Sequence, residues 1–184
     1  TADFSRYVSV STGNNNSVLL RCLQFRNKMM CSNGIDPVFT WDGAIKANMD
    51  GTNNTPNIPR FKYMSYWQNR IWGLNTSGSP SSLDWCAVKS TAGSQIAPDH
   101  FLAWPSANRL NVGFGDGGEQ GTGLFIENGQ LKAGKERSIY TIYGTNDTSY
   151  FDRKDEVDIG VLSHDSISQL DGNIYFFGYP DGFY

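Results

Sequence analysis

His100 and His164 are the two histidines of this chain, and Cys22, Cys31 and Cys86 are its three cysteines. A nucleophilic triad needs a Ser or Cys, a His and an acid brought together. His100 follows Pro98-Asp99, His164 sits in LSHDS just ahead of an apolar run, and no G-x-S-x-G elbow occurs. Each histidine therefore reads as a loop or strand-end residue making one hydrogen bond. The cysteines lack C-x-x-C spacing, so they make no zinc site with the histidines. GDGGEQG (115–121) offers carboxylates on a Gly-rich turn, which suits a hard cation, but it lacks D-x-D-x-D spacing. It also lacks the G-K-S/T end of a phosphate loop, and reads as a flexible turn. FDRKDEVDIG (151–160) mixes Asp152, Asp155, Glu156 and Asp158 with Arg153 and Lys154. Glycosidases need two carboxyls on one sugar site, whereas mixed signs in one run read as a solvated loop or a charged rim meeting a neighbour. Ser82-Leu83-Asp84-Trp85 lacks the Gly and Thr-Trp of the S-x-D-x-G-x-T-W box of sialidase-type propellers. Trp41, Trp72 and Trp85 fall at strand positions, where packing explains them, while Trp67 and Trp104 are the freer candidates for stacking on sugars. No residue is assigned a catalytic, cofactor-binding or metal-ligating role, no cofactor is expected, and the expectation is a protein that is not an enzyme.

The elements that would position such residues are strands. Aromatics make up 14% of the 184 residues, charged residues only 18%, and there are 20 Gly, a balance that suits strands and turns rather than helical bundles. The net charge of −3 leaves no basic stripe with which to wrap nucleic acid. No run is long and apolar enough to span a membrane. The first residues, TADFSRYVSVSTGNNN, have neither a basic nor an apolar segment of a signal peptide, and the start at Thr1 suits a processed or partial chain. An odd cysteine count argues against a disulfide framework. The N-x-S/T triplets at Asn15, Asn53, Asn75 and Asn146 read as chance products of polar loops. The expectation is a reduced, unglycosylated protein.

The chain repeats itself. LLRCLQF-RN-KMMCSNG, FKYMSYW-QN-RIWGLN, TGLFIE-NG-QLKAGK and DSISQL-DG-NIYFFG are each an apolar run, a two-residue polar turn and a second apolar run. Asn128-Gly129 and Asp171-Gly172 are strong hairpin signals, because a type I′ turn needs φ > 0 at both central residues. Arg26-Asn27 and Gln68-Asn69 are weaker, since only their Asn tolerates that region well. A third run follows each hairpin: VFTWDG (38–43), SLDWCAV (82–88), SIYTIYG (138–144) and GFY (182–184). Asp42-Gly43 makes a further turn into AIKANM, a fourth strand of the first unit. The turns recur 42, 59 and 43 residues apart, near the roughly 40–50 residues of a four-stranded propeller blade. The longer interval holds 90–121, read as an irregular insertion. The fold expected is a single all-β domain over 1–184, built of propeller-like antiparallel three- or four-stranded units and part of a larger propeller, with a β-sandwich as the alternative. The last unit stops as its third strand begins.

These phrases in this order resemble a family of tailed-bacteriophage virion proteins built as β-propellers in the tail or head-to-tail region. The stretches that carry the resemblance are FRNKMMCSNGIDPVFTWDG (25–43), YWQNRIWGLNTSGSPSSLDWCAV (66–88), GTGLFIENGQLKAGKERSIYTIYG (121–144) and SISQLDGNIYFFGYPDGFY (166–184). Together they reach from about residue 20 to the end, and residues 1–19 match nothing. The resemblance implies a structural component of a virion, meeting copies of itself and other virion proteins in a ring around the DNA path. DNA in a central channel would be touched passively, and no membrane is involved. The alternative function is a carbohydrate-binding or glycan-hydrolysing propeller or sandwich domain.

Turn geometry makes one local prediction. With Arg26-Asn27 as the turn, the cross-strand pairs are 25/28, 24/29, 23/30 and 22/31. Cys22 then faces Cys31 in a non-hydrogen-bonded pair with close Cβ atoms, expected adjacent but reduced.

Overall fold

The computed structural model describes residues 14–15, 17–52, 56–87, 100–116, 118–145, 149–155, 158–180 and 182–184. Three four-stranded antiparallel sheets follow one another along the chain, each a simple meander. The first holds β1 (Arg21–Phe25), β2 (Lys28–Ser32), β3 (Phe39–Trp41) and β4 (Lys46–Asn48). The second holds β5 (Phe61–Trp67), β6 (Arg70–Thr76), β7 (Ser79–Trp85) and β8 (Arg109–Asn111). The third holds β9 (Gly121–Glu127), β10 (Gln130–Lys135), β11 (Ile139–Tyr143) and β12 (Phe151–Lys154).

A smaller fourth unit contains β13 (Gly160–Val161), β14 (Ser168–Leu170), β15 (Asn173–Tyr175), β16 (Phe177–Tyr179) and β17 (Gly182–Phe183). β14 pairs with β15, and β16 pairs with both β13 and β17. Only Phe176 separates β15 from β16, and its backbone exchanges both hydrogen bonds with Tyr184, at 3.1 and 3.0 Å. Residues 160–170, 173–179 and 182–184 thus form a three-stranded meander whose first strand is interrupted by the 3₁₀ turn His164–Ser166. The chain is all-β, as expected. The sheets do not close into a complete propeller ring.

The expected turns are where the hairpins reverse. Both central residues have positive φ at Gln68-Asn69 (48° and 58°), Asn128-Gly129 (49° and 76°) and Asp171-Gly172 (51° and 83°). At the first turn the positive φ (54°) falls on Arg26, not on the Asn expected to take it. Gln68 tolerates its unusual φ because neighbours hold its side chain: its Nε2 donates to the Gly144 carbonyl at 3.1 Å, and Tyr150 donates its hydroxyl to Oε1 at 2.7 Å.

Three expectations need correction. Cys22 pairs with Cys31 in the predicted register, with Cα atoms 4.2 Å apart, but the two are joined by a disulfide rather than reduced. Facing positions in a non-hydrogen-bonded pair lie within bonding reach. The third cysteine, Cys86, is not part of the disulfide and is buried in the core at 0% exposure. The run 151–160 is also not simply a solvated loop, since 151–154 is the strand β12. Likewise the stretch 90–121 contributes β8, the fourth strand of the second sheet; its residues 90–99 and Gly117 lie outside the described residues.

Each gap between consecutive sheets has its own core. Phe25, Met30, Phe61, Met64, Ile71 and Phe101 fill the first. Trp67, Trp72, Leu74, Trp85, Leu131 and Tyr150 are among the residues of the second, and Phe125, Val161 and Phe176 fill the third. β6 is buried at almost every position. Alternation sends Ile71 to one gap and Trp72 and Leu74 to the other, because successive side chains point to opposite faces. The first three sheets meet through their first strands, β1 against β5 and β5 against β9, while the fourth unit packs β13 against β10 and its 3₁₀ turn against β9.

Candidate functional site

The convergence of first strands creates a cluster drawn from all four sheets. Arg21 on β1 lies with its guanidinium 5.0 Å over the Tyr63 ring of β5, and bonds Asp165 of the fourth unit at 2.6 Å. The His164 ring sits 4.9 Å from the Tyr63 ring. Its Nδ1 accepts the backbone N–H of Leu124 on β9 at 3.3 Å. Lys62 adds a second cation over the same Tyr63 ring, at 5.6 Å. The ion pair links residues 144 apart in the chain, so these side chains tie the fourth sheet back to the first.

Burial and the Arg21 cation hold the pKa of His164 below its ordinary 6.5, and Asp165 only partly opposes them. A neutral ring also suits the hydrogen bond, because a protonated Nδ1 could no longer accept from Leu124. The folded state therefore binds fewer protons than the unfolded chain between the folded pKa and 6.5. This contribution to stability is complete above 6.5 and declines as pH falls below it. Urea midpoints measured from about pH 8 down to about pH 5 should fall for the native protein. In His164→Gln, which does not titrate, the fall over this window should be smaller.

This cluster is a structural joint. No Cys belongs to it: Cys86 packs in the first gap, where its Sγ accepts the Ile71 N–H. His100 opens the 3₁₀ turn His100–Leu102, ahead of β8, whereas His164 opens the 3₁₀ turn of the fourth unit. Among the described residues, no group of three His, Cys, Asp or Glu could hold a metal.

The remaining sequence candidates serve the fold. In 115–121, Asp116 is anchored by Lys135 at 2.8 Å and by the Tyr140 hydroxyl at 3.0 Å, so this turn is fastened to the third sheet. Asp152 accepts the Gly113 N–H at 2.7 Å, and Asp155 accepts from Lys132 and Thr141. Glu156 lies outside the described residues. Trp67 is buried and donates its indole N–H to the Gly129 carbonyl. Trp104 stacks on Phe61 and donates to the Phe101 carbonyl. Neither is a free platform for a sugar. Trp72 and Trp85 are core, as expected, and Trp41 is half-buried beside a shallow groove with Met29 and Gln24. The Asn75 amide donates to the Gly121 carbonyl inside the fold. Asn53 and Asn146 lie outside the described residues.

What the sheets leave uncovered is an aromatic surface on the fourth unit. Phe177 and Phe183 are 57% and 66% exposed, with ring centroids 5.6 Å apart, and Tyr175 stacks on Phe183 at 5.9 Å. Phe177 and Phe183 are register partners, so they share one face of the sheet. The neighbouring Phe176 points into the third gap. Leu170 is 61% exposed on the same unit. Among the described residues β17 pairs with β16 alone, which leaves it an edge strand. Composition alone marks NIYFFG as a strand; which ring faces outward depends on the interruption at Phe176.

Fold and surfaces together define an all-β protein of serially stacked antiparallel sheets with exposed aromatic rings on its fourth unit. The chain matches no family model and no curated protein in sequence.

Proposed function

We propose that this protein is a structural component of a phage virion, forming part of a tail or head-to-tail ring by contact with copies of itself and with other virion proteins. The observation that carries the assembly part is the exposed face of Tyr175, Phe177 and Phe183 beside the edge strand β17. Between the other sheets, aromatic faces of this kind are covered. A row of exposed rings on a sheet end is a surface that association would bury. The phage part rests on the resemblance of the four repeats, in their order, to propeller proteins of the tail region. Catalysis has no role in this reading, and DNA in a central channel would be a passive neighbour.

Sedimentation velocity of the full chain over a range of concentrations tests the assembly surface. The native protein should self-associate, and Phe177→Ser should weaken that association about 10-fold or more. Its effect on monomer stability should stay within about 0.5 kcal/mol, because the ring is exposed. A native protein that stays monomeric throughout, or a variant that associates equally well, would contradict this use of the fourth sheet.

A further inference from the structure

We propose that the cavity beside β7 and β8 binds the carboxylate of a small hydroxylated acid of the sugar-acid class. The cavity has a volume of about 380 Å³ and is lined by Arg109 together with Ser79, Pro80, Ser81, Ser82 and Asn111. That is the size of pocket that holds a small ligand.

The key group is the Arg109 guanidinium. Its Nε donates to Asp84 Oδ1 at 2.6 Å, and the Asp84 side chain is only 6% exposed. Asp84 is itself held, because Oδ2 accepts from Thr76 at 2.5 Å and lies 3.2 Å from the Ser82 hydroxyl. The Arg109 side chain is 43% exposed, and among the described residues Asp84 is its hydrogen-bonding partner. A buried carboxylate thus fixes the guanidinium through Nε, while the terminal amino groups remain available as a fork. Such a fork matches the two oxygens of a carboxylate, and its prior fixation reduces the entropy lost on binding.

Stability alone is a poor reason for this arrangement. Burying Asp84 costs desolvation, and a half-exposed arginine returns little of that cost. The lining also narrows the ligand class. Asp84 balances the charge of Arg109, so a bare anion gains little from net charge. Recognition then depends on the paired hydrogen bonds of a planar carboxylate and on hydroxyls meeting Ser79 and Asn111, since Ser81 and Ser82 already donate to the Glu119 and Ser79 carbonyls. This site is on the second sheet, apart from the aromatic face of the fourth, and stands or falls independently of the assembly reading.

The test is a titration of the ¹⁵N-labelled full chain, followed by NMR at Arg109 Nε–H and at the amides of residues 79–82. Glucuronate is the probe, with glucose and sulfate as comparisons. Glucuronate should give saturable shifts at these signals, glucose none, and sulfate should bind about 10-fold more weakly. Arg109→Lys keeps the charge beside Asp84 but loses the fork, and should weaken glucuronate about 10-fold or more. Asn111→Ala, at an exposed position of β8, should also weaken it and serves as the second variant if the first does not fold. The proposal is overturned if glucuronate gives no saturable shift, if glucose or sulfate binds as well, or if the folded variants bind glucuronate unchanged.

Discussion

Trp72→Ala should cost about 3–5 kcal/mol, the largest loss expected from any single truncation in the second gap. Trp72 is fully buried on β6. Its ring lies 5.5 Å from Trp67, 4.9 Å from Trp85 and 4.8 Å from Tyr150, the last edge-on. Its indole N–H donates to the Trp67 carbonyl at 3.0 Å. Truncation leaves a cavity between rings of the second sheet and Tyr150, just ahead of β12 in the third, and orphans that carbonyl. The surroundings cannot simply collapse, because Arg70 stands over Tyr150 and Trp67 is tethered to Gly129. Domains of this size are stable by about 5–15 kcal/mol, so the variant should sit near the edge of folding. Urea denaturation followed by circular dichroism measures this. A loss under about 1 kcal/mol would mean that the second and third sheets are not joined through Trp72.

Lys135→Ala should cost about 3 kcal/mol, through electrostatics rather than volume. Lys135 is 1% exposed, and its ammonium bonds Asp116 at 2.8 Å. It reaches this position by alternation along β10, which puts it on the same side as Leu131 and Ala133. Removing the cation leaves Asp116, 18% exposed, with only the Tyr140 hydroxyl from this pair of donors. Burial by itself would raise the Asp116 pKa, but the bonds from Lys135 and Tyr140 outweigh it and hold the carboxyl below its usual 3.8. Its contribution is present above that value and is lost as pH falls through the folded pKa. Tyr140 has the opposite sign: burial, and then its bond to Asp116, push its pKa up to about 12. Its contribution is complete below the usual 10 and is lost as pH rises toward 12. Urea midpoints for Lys135→Ala should fall at neutral pH, and the remaining dependence between pH 10 and 12 should change in shape. An unchanged midpoint would show that Asp116 is solvated and the lock does not form.

The hairpins were legible because turn chemistry is local. Asn-Gly and Asp-Gly dictate a backbone twist whatever surrounds them, and the Cys22–Cys31 register followed from two residues at a turn. The oxidation state did not follow, since an odd number of thiols is compatible with one bridge and one buried Cys86. β8 and β12 escaped notice because they are short edge strands, RLN and FDRK, whose polar faces look like loop. The loop expected in NTSGSPS is instead a tight hairpin at Ser77-Gly78, with Thr76 opposite Ser79. The long-range groupings carry no sequence signature. Arg21 meets Asp165 across 144 residues, and Arg109 meets Asp84 across 25. Stacking of sheets brings the first pair together, and pairing of β7 with the short strand β8 the second. The two tryptophans that looked free, Trp67 and Trp104, were absorbed by packing for the same reason.

Electron microscopy of the native particle tests the central claim most directly, because it sees what covers the fourth sheet. Repeated copies of this chain should appear in a ring, with density from a neighbouring subunit over Tyr175, Phe177 and Phe183. Native material holding only isolated copies, their aromatic face open to solvent, would contradict it.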